Sequence, residues 1–314
     1  MQSGFSTGNR WGLTGTEDIG NAKVGFVLES GFNSDDGASG QGGRLFGREA
    51  QVNVSGAYGT LYAGRIASIV SDSGSIGYLG DVSAFPNAFG FVGSQAGSTG
   101  SAYGRYDNTL AYQTPVFSGL QAAVMYSFKA DSKTDTTSRE NSSFADRYAA
   151  AGLRYKAGKA AVVLAADYTM YSNATNPDLD DGYSVILGGN YDFGAAKVFA
   201  KATYFDNQAS VTDSFEIIDA VREIAAEDDL AVARAFKGWG VELGTNVPAF
   251  GGNFIATVGY SYAFSKRASI YAAAGYAQEK GTGHGVVEDL DLNITSASIK
   301  GSGAQAGFGL VHKF

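Results

Sequence analysis

Residues 303–314 read Gly-Ala-Gln-Ala-Gly-Phe-Gly-Leu-Val-His-Lys-Phe, a stretch that alternates in character from one residue to the next. In a strand, one face carries Gln305, Gly307, Gly309 and Val311, and the other carries Ala304, Ala306, Phe308, Leu310 and His312. Soluble domains rarely end on an apolar strand, because chain termini usually fray in water. A transmembrane β-barrel does end this way, because its final strand must pair to leave no edge in lipid. The stretch therefore predicts an all-β fold, a transmembrane antiparallel β-barrel that this strand closes.

The composition of the 314 residues agrees with a wall that has one apolar and one wet face. Hydrophobic residues make up 44% of the chain, yet there is no run of about 18 apolar residues that would indicate a transmembrane helix. The net charge of −8 argues against nucleic acid as a partner, and the lack of cysteine excludes a fold built on disulfides. We expect one domain over residues 1–314.

Segments of about ten residues that alternate in polarity recur along the whole chain, which is typical of a membrane barrel. With the terminal strand, about fourteen can be read: Asn9–Asp18, Ala22–Gly31, Arg48–Gly56, Gly59–Ile66, Asp107–Thr114, Leu120–Lys129, Arg147–Tyr155, Ala160–Met170, Gly182–Phe193, Ala196–Phe205, Lys237–Val247, Asn253–Phe264 and Ala268–Gln278. Aromatic residues near the segment ends suit the interfacial girdles of a membrane protein. The same alternation also occurs in soluble sandwiches and soluble barrels, which are the alternative fold.

The connections between these segments alternate in length, as they do in outer-membrane barrels. Short turns such as Gly20-Asn21 alternate with long polar segments, which are Asn33–Phe46, Ala67–Gly104, Ala130–Asp146, Tyr171–Asp181, Asp206–Phe236 and Glu279–Ser302. Within the 206–236 segment, apolar residues recur at helical spacing from Asp213 to Phe236. We expect a short helix there, which either caps the loop or binds a partner.

Six motifs resemble those of the general porins of proteobacterial outer membranes, and they occur in the family's order over nearly the whole chain. They are Asn-Arg-Trp-Gly-Leu-Thr-Gly-Thr-Glu-Asp-Ile-Gly (9–20), Leu-Tyr-Ala-Gly-Arg (61–65), Arg-Tyr-Asp-Asn-Thr-Leu-Ala-Tyr-Gln-Thr-Pro-Val-Phe-Ser-Gly (105–119), Asn-Tyr-Asp-Phe-Gly-Ala-Ala-Lys-Val (190–198), Phe-Ser-Lys-Arg-Ala-Ser-Ile-Tyr (264–271) and the ending Val-His-Lys-Phe. The resemblance implies a homotrimer of 16-stranded barrels in outer-membrane lipid, each with a water-filled pore. It also implies that the family's third external loop, which corresponds to segment 67–104 here, folds inward and narrows that pore.

The sequence departs from this family pattern in two places. It starts just before the motif of the family's second strand and shows no signal peptide after Met1, so we expect that a first strand behind a signal peptide has been lost. In addition, residues 252–264 read as one strand where the family has two. A single strand there would place the end of the chain on the opposite rim from the family's.

Basic residues that face the lumen are the candidates for ion selectivity, because low-dielectric walls focus the field of fixed charges. Arg10 shares a face with Thr14 opposite Trp11, and Arg105 shares a face with Asp107, Thr109 and Gln113 opposite Leu110. Both point inward, because an Arg on the lipid face near the midplane costs roughly 2–4 kcal/mol. Strict alternation places Arg48 beside Val52 and Arg65 beside Leu61 and Ala63, so both need a position at the rim or on a bulge.

These arginines resemble the cluster that faces the inward loop in anion-selective members of the family. The opposing acids are Asp72 and Asp81 on the loop and Asp107 and Glu49 on the wall, unless these are plain solvated carboxylates. We therefore predict a passive channel for small hydrophilic solutes and inorganic ions, with a weak anion preference and no cofactor. The alternative is a non-conducting structural or adhesive barrel.

A barrel enzyme is disfavoured because His284 and His312 are the only histidines and neither has neighbours that suggest a catalytic triad. A zinc cluster is disfavoured too, because two histidines and no cysteine supply too few of the usual zinc ligands. The carboxylate groups show no EF-hand spacing, and the scattered Gly-x-Gly runs do not form phosphate loops. We predict neither a catalytic nor a metal site.

Overall fold

The computed structural model describes residues 8–83, 104–173, 180–208, 235–249, 252–255, 259–263, 268–284 and 297–312. These residues contain fifteen strands: β1 (Arg10–Asp18), β2 (Lys23–Gly31), β3 (Glu49–Gly56), β4 (Gly59–Ala67), β5 (Arg105–Gln113), β6 (Leu120–Ser127), β7 (Arg147–Ala157), β8 (Ala160–Met170), β9 (Gly182–Asp192), β10 (Lys197–Gln208), β11 (Ala235–Ala249), β12 (Gly252–Ile255), β13 (Gly259–Ala263), β14 (Ala268–His284) and β15 (Ala297–His312). One helical turn, α1 (Gly40–Gly43), and one 3₁₀ turn (Leu79–Asp81) lie in the long segments. Within the described ranges, neither helical segment has the length and apolar content that a membrane-spanning helix needs.

All fifteen strands belong to one antiparallel sheet in which each strand pairs with its neighbours in the chain. Short turns at 19–22, 57–58, 114–119, 158–159 and 193–196 lie on one rim, and the longer connections that follow β2, β4, β6 and β8 start from the other. We call these the short-turn rim and the long-segment rim. The described residues show no pairing of β1 with β15. The single antiparallel sheet agrees with the predicted all-β fold class.

The two faces of the sheet differ in what covers them. On one face, apolar side chains such as Val124 and Leu187 remain 53% and 55% exposed, which is the arrangement expected for a lipid-facing band. On the other face, Val163 and Ile186 are fully buried. Residues 68–83 of segment 67–104 cover this inner face, so the period-two pattern separates a lipid side from a lumen side.

The described part of segment 67–104 lies inside the wall as predicted, because residues 68–83 pack against the inner face. Ser68 N donates to Gly104 O at 3.1 Å, which brings the two ends of the segment together. Its apolar side chains pack on the wall and are buried almost completely: Ile69, Val70, Ile76, Tyr78, Leu79 and Val82. A Cβ added to Gly152 or Gly188 of the wall would lie within 3.0 Å of Ile69 and Val82, respectively. The wall therefore uses glycine where this segment comes closest.

The prediction of a single strand over 253–264 is wrong, because these residues contain β12 and β13 and are joined as a short antiparallel hairpin. Beyond this hairpin, Ala235–Lys237 of β11 pair directly with Thr282–His284 of β14. The extra strand restores the alternation of direction, so β15 runs toward the short-turn rim and the expected change of rim does not occur. Because 252–263 alternates without a break, periodicity alone did not reveal the turn.

Two long segments differ from their predicted bounds. β14 and β15 pair over sixteen positions from Ala268↔His312 to Gly283↔Ala297, so residues 279–284 and 297–302 of the segment predicted as 279–302 are strand. β10 extends to Gln208 and β11 begins at Ala235, which shortens the segment predicted as 206–236. The helix predicted over 213–236 does not include Ala235 and Phe236, which belong to β11, and its residues 213–234 lie outside the described residues.

Candidate functional site: charged clusters on the inner wall

Three of the predicted arginines lie near one another at the long-segment rim, and we call Arg10, Arg48 and Arg105 the arginine cluster. Arg10 opens β1, Arg48 immediately precedes β3 and Arg105 opens β5. Arg48 Nε lies 2.5 Å from Glu29 Oε1, and Arg10 Nη1 lies 3.9 Å from the same oxygen. The charges of Arg48 and Glu29 act on both other arginines.

Arg48 is enclosed rather than exposed to lipid, and its side chain is only 7% accessible. The strand begins one residue later, at Glu49, so the alternation that places Arg48 with Val52 does not extend to it. Its backbone N–H also donates to Glu29 O at 3.0 Å. Because Arg48 lies just before β3, the alternation that would place its side chain on the lipid face does not apply to it.

A bulge in β5 changes the predicted face of Arg105. Between Gly64↔Thr109 and Ile66↔Tyr106 the partner strand advances two residues while β5 advances three. Asn108 takes up the extra length with a φ of 47°, a left-handed conformation that Asn tolerates. Tyr106 and Thr109 are consequently both buried, so the prediction that Arg105 shares a face with Thr109 and Gln113 is wrong. Arg105 and Asp107 lie on the same side of the bulge at Asn108.

Arg105 nevertheless remains near the other charged residues of this region, because the charges of Arg48, Arg65, Glu29 and Glu49 act on it. Its Nε is buried and has no hydrogen-bond partner among the described residues. A buried donor without a partner is rare and asks for an explanation, such as an ion or water that approaches it.

The predicted acids of this region are engaged in different ways. Glu49 is directed at the inward segment, where its Oε1 accepts from Ser75 N at 2.7 Å and its Oε2 from Ser75 Oγ at 2.5 Å. Asp72 is half-buried on the segment, and its charge acts on Arg10. The structure thus brings Arg10, Arg48, Arg105, Glu49 and Asp72 into one neighbourhood.

Arg65 and Asp107, by contrast, bind each other. Arg65 Nη1 lies 2.6 Å from Asp107 Oδ1, and its Nε donates to Gly47 O at 2.8 Å. The second carboxylate oxygen of Asp107 accepts from Ser132 N at 2.9 Å and lies 3.3 Å from Arg44 Nη2. These contacts join segments 32–48 and 128–146 to the wall, so most of the charge of this pair is satisfied internally.

Asp81 lies apart from the other predicted residues, where two basic residues of β7 hold it. Its Oδ2 is 2.9 Å from Arg154 Nη1 and its Oδ1 is 2.7 Å from Lys156 Nζ. The guanidinium of Arg154 also stacks on the Tyr78 ring, 4.4 Å from its centroid. Sequence reasoning missed Arg154 and Lys156, although alternation with buried Tyr148 and Ala150 places both on the inner face.

A crevice of about 650 Å³ opens in segment 128–146 at the long-segment rim, and Lys129, Asp135 and Asp146 are among its lining residues. Hydrogen bonds from the Ser138 hydroxyl and N–H lower the pKa of Asp135 to about 2. Burial instead raises the pKa of Asp146. The described residues contain no group of three or more His, Cys, Asp or Glu side chains that could hold a metal ion.

A sheet with a lipid-facing band, a charged inner face and a long segment packed inside it defines a membrane channel. The comparisons identify the channel more closely, because residues 1–282 match the family described as Gram-negative porin. An outer membrane porin protein of Bordetella pertussis is 34% identical over 88% of this chain and 79% of its own length. Outer membrane porin protein 32 of Delftia acidovorans is 27% identical over 97% of this chain and 82% of its own length.

Among solved structures, the anion-selective porin from Comamonas acidovorans superposes with a TM-score of 0.59. It is 24% identical and the match covers 98% of this chain and 90% of that one, so the likeness concerns the fold. The chain belongs to the Gram-negative porin family. It is therefore an outer-membrane channel and not an enzyme, as the sequence predicted.

Proposed function

We propose that this porin prefers small anions and that the arginine cluster, Arg10, Arg48 and Arg105, produces the preference. The observation that carries the proposal is the state of Arg105, whose buried Nε has no hydrogen-bond partner among the described residues. The charges of Arg48 and Arg65 both act on it. The positive charge of Arg105 therefore adds to those of Arg10 and Arg48, and a group of like charges on a low-dielectric wall attracts anions.

The neighbouring carboxylates support the same conclusion, because internal contacts engage them. Glu29 is shared by Arg10 and Arg48, and Glu49 accepts from two donors of Ser75. The net charge of −8 does not oppose the proposal, because charges on distant segments are screened over a Debye length of about 8 Å at physiological salt. The Comamonas acidovorans porin that shares this fold is anion-selective, which agrees with the proposal.

We further propose that segment 67–104 narrows the pore and that the 1–314 chain forms a single domain that assembles as a homotrimer. The packing of residues 68–83 on the inner wall supports the narrowing of the pore. The pairing of consecutive strands throughout the described sheet supports a single domain. The trimer rests on membership of the family. The mass of the detergent-solubilised protein, measured by light scattering, tests it.

The anion preference is tested by the reversal potential of the channel in a planar bilayer under a KCl gradient. A unit charge about 7 Å from the ion path contributes about 0.6 kcal/mol per passing ion in a dielectric of 80, before salt screening. Because the sign is opposite for anion and cation, Arg105→Gln should lower the anion-to-cation permeability ratio by about twofold to sevenfold. Arg139→Gln is the matched control, because Arg139 is exposed in segment 128–146.

A cation-selective wild-type channel would exclude the proposed preference. An unchanged ratio in Arg105→Gln, with a wild-type preference for anions, would remove Arg105 from the residues that determine it. Heat-modifiable gel migration shows whether each variant is folded before its current is interpreted.

A further inference from the structure

Asp81, Arg154 and Lys156 form a second charged group on the inner wall, which we call the Asp81 cluster. The Asp81 carboxylate places one oxygen on Arg154 and the other on Lys156, and Gln121 Oε1 accepts a further hydrogen bond from Arg154. Tyr78 closes one side against the guanidinium. A fork of guanidinium donors and an ammonium group around one carboxylate is a recognition site for carboxylates.

The Asp81 cluster is well separated from the arginine cluster. Thr109 of β5 pairs with Ser127 of β6, which pairs with Tyr148 of β7, so these three residues lie at the same height between the two rims. Arg105 lies beyond this level toward the long-segment rim, whereas Arg154 lies six residues from Tyr148 toward the short-turn rim. At about 3.4 Å per residue the separation is at least roughly 20 Å, more than two Debye lengths at physiological salt.

The cluster is accessible to solvent. The side chains of Arg154 and Asp81 are 21% and 23% exposed, and that of Lys156 is 50% exposed. The group carries two positive charges and one negative charge, so it retains a net positive charge toward the passage. A solute carboxylate can therefore reach the same donors that Asp81 occupies.

The turn that carries Asp81 does not depend on its carboxylate. Asn190 Nδ2 donates to the backbone oxygen of Asp81, and Val82 N donates to Leu79 O at 3.0 Å. Tyr78, Leu79 and Val82 are fully buried beside it. The side chain of Asp81 can consequently leave its partners while the inward segment stays attached to the wall.

We propose that Arg154 and Lys156 form a second anion site, specific for small carboxylates, in which the Asp81 side chain is an internal competitor that a passing solute displaces. The proposal rests on the passage of anions through the channel. It places the solute contact on the short-turn side of the arginine cluster.

The test is the block of chloride current by succinate in planar bilayers, with chloride held constant. Asp81→Asn keeps the size and the backbone contacts of the residue but removes the competing charge. We expect its half-blocking succinate concentration to fall on the order of tenfold, the effect of one charge-assisted contact in a partly exposed site. The double variant Asp81→Asn/Lys156→Gln should lose this gain.

Lys159→Gln is the matched control, because Lys159 carries the same charge in the exposed turn of the same hairpin. It should block as the wild type does. Equal block in Asp81→Asn and wild type, or an undiminished gain in the double variant, would overturn the proposal. A gain of block in Asp81→Asn in a channel whose wild type proves cation-selective would support the second site while refuting the anion preference.

Discussion

Gly188 and Gly189 are adjacent in β9 and allow the packing of the inward segment to be tested with one methyl group. A Cβ at Gly188 would lie 2.7 Å from Val82 Cγ2 and 3.0 Å from Val82 Cβ. A Cβ at Gly189, on the opposite face, would meet only ordinary contacts, the nearest being Ala161 O at 3.4 Å. Neither glycine has a positive φ, so alanine fits both backbones.

The size of the effect of Gly188→Ala follows from the short distance between the added Cβ and Val82. Carbon atoms prefer a separation of about 3.5–4.0 Å, so Gly188→Ala forces Val82 to move by about 1 Å. Overpacking of this kind typically costs about 1–3 kcal/mol. Since Val82 lies on the lumen side of β9, we expect it to move toward the passage and to lower the single-channel conductance.

Single-channel conductance in KCl and the midpoint of heat-modifiable migration measure the two effects. Gly188→Ala should show a lower conductance and a lower midpoint than the wild type. Gly189→Ala should keep the conductance and not lower the midpoint, because alanine suits a strand better than glycine. If Gly188→Ala and Gly189→Ala behave alike, the segment does not pack on β9 as described.

Two further predictions concern the long-segment rim. Asp107→Asn should lower the free energy of unfolding by about 2 kcal/mol, and with it the midpoint of thermal unfolding, because Arg44 and Arg65 are half-buried and lose a charged acceptor. Asp180→Asn, at an exposed position, is the control, and equal midpoints for the two variants would refute the role of the Arg65–Asp107 pair. Asp135 has a lowered pKa of about 2, so its stabilisation is present above the ordinary pKa of about 3.8 and is lost as pH falls toward 2. Pepsin cleavage near exposed Phe144 should therefore rise from pH 4 to pH 2 more steeply in the wild type than in Asp135→Asn, and parallel profiles would contradict this.

Much of the wall was predictable because a strand has a period of two and each residue's face depends only on its neighbours. The predicted Ala160–Met170 strand has the same bounds as β8, and the split between Leu120 and Gln121 faces of β6 follows the pattern. The same reasoning fails where the backbone departs from regular alternation. The bulge at Asn108 and the hairpin hidden in 252–263 both leave the residue pattern unchanged while they change faces and directions.

The charged partners were beyond the reach of the sequence for another reason. Asp81 and Arg154 are 73 residues apart, and Arg44 and Asp131 are 87 apart, so their contacts depend on the path of long segments. Asp107 appeared to be a lumen acid by alternation, yet its oxygens are taken by two arginines from other segments. The pattern of neighbouring residues does not indicate which distant charged residues will pair.

By itself, then, the sequence determined an antiparallel wall with one apolar and one wet face, because apolar and polar residues must alternate where lipid and water meet across one strand. The order of its motifs, and not the alternation, indicated the Gram-negative porin family. The tertiary structure decided which charged residues of the wall pair with each other. Arg65 and Asp107 satisfy each other, whereas Arg105 keeps a donor without a partner among the described residues. The reason is physical: an ion pair forms wherever folding brings opposite charges within a few ångströms, whatever their separation in the chain.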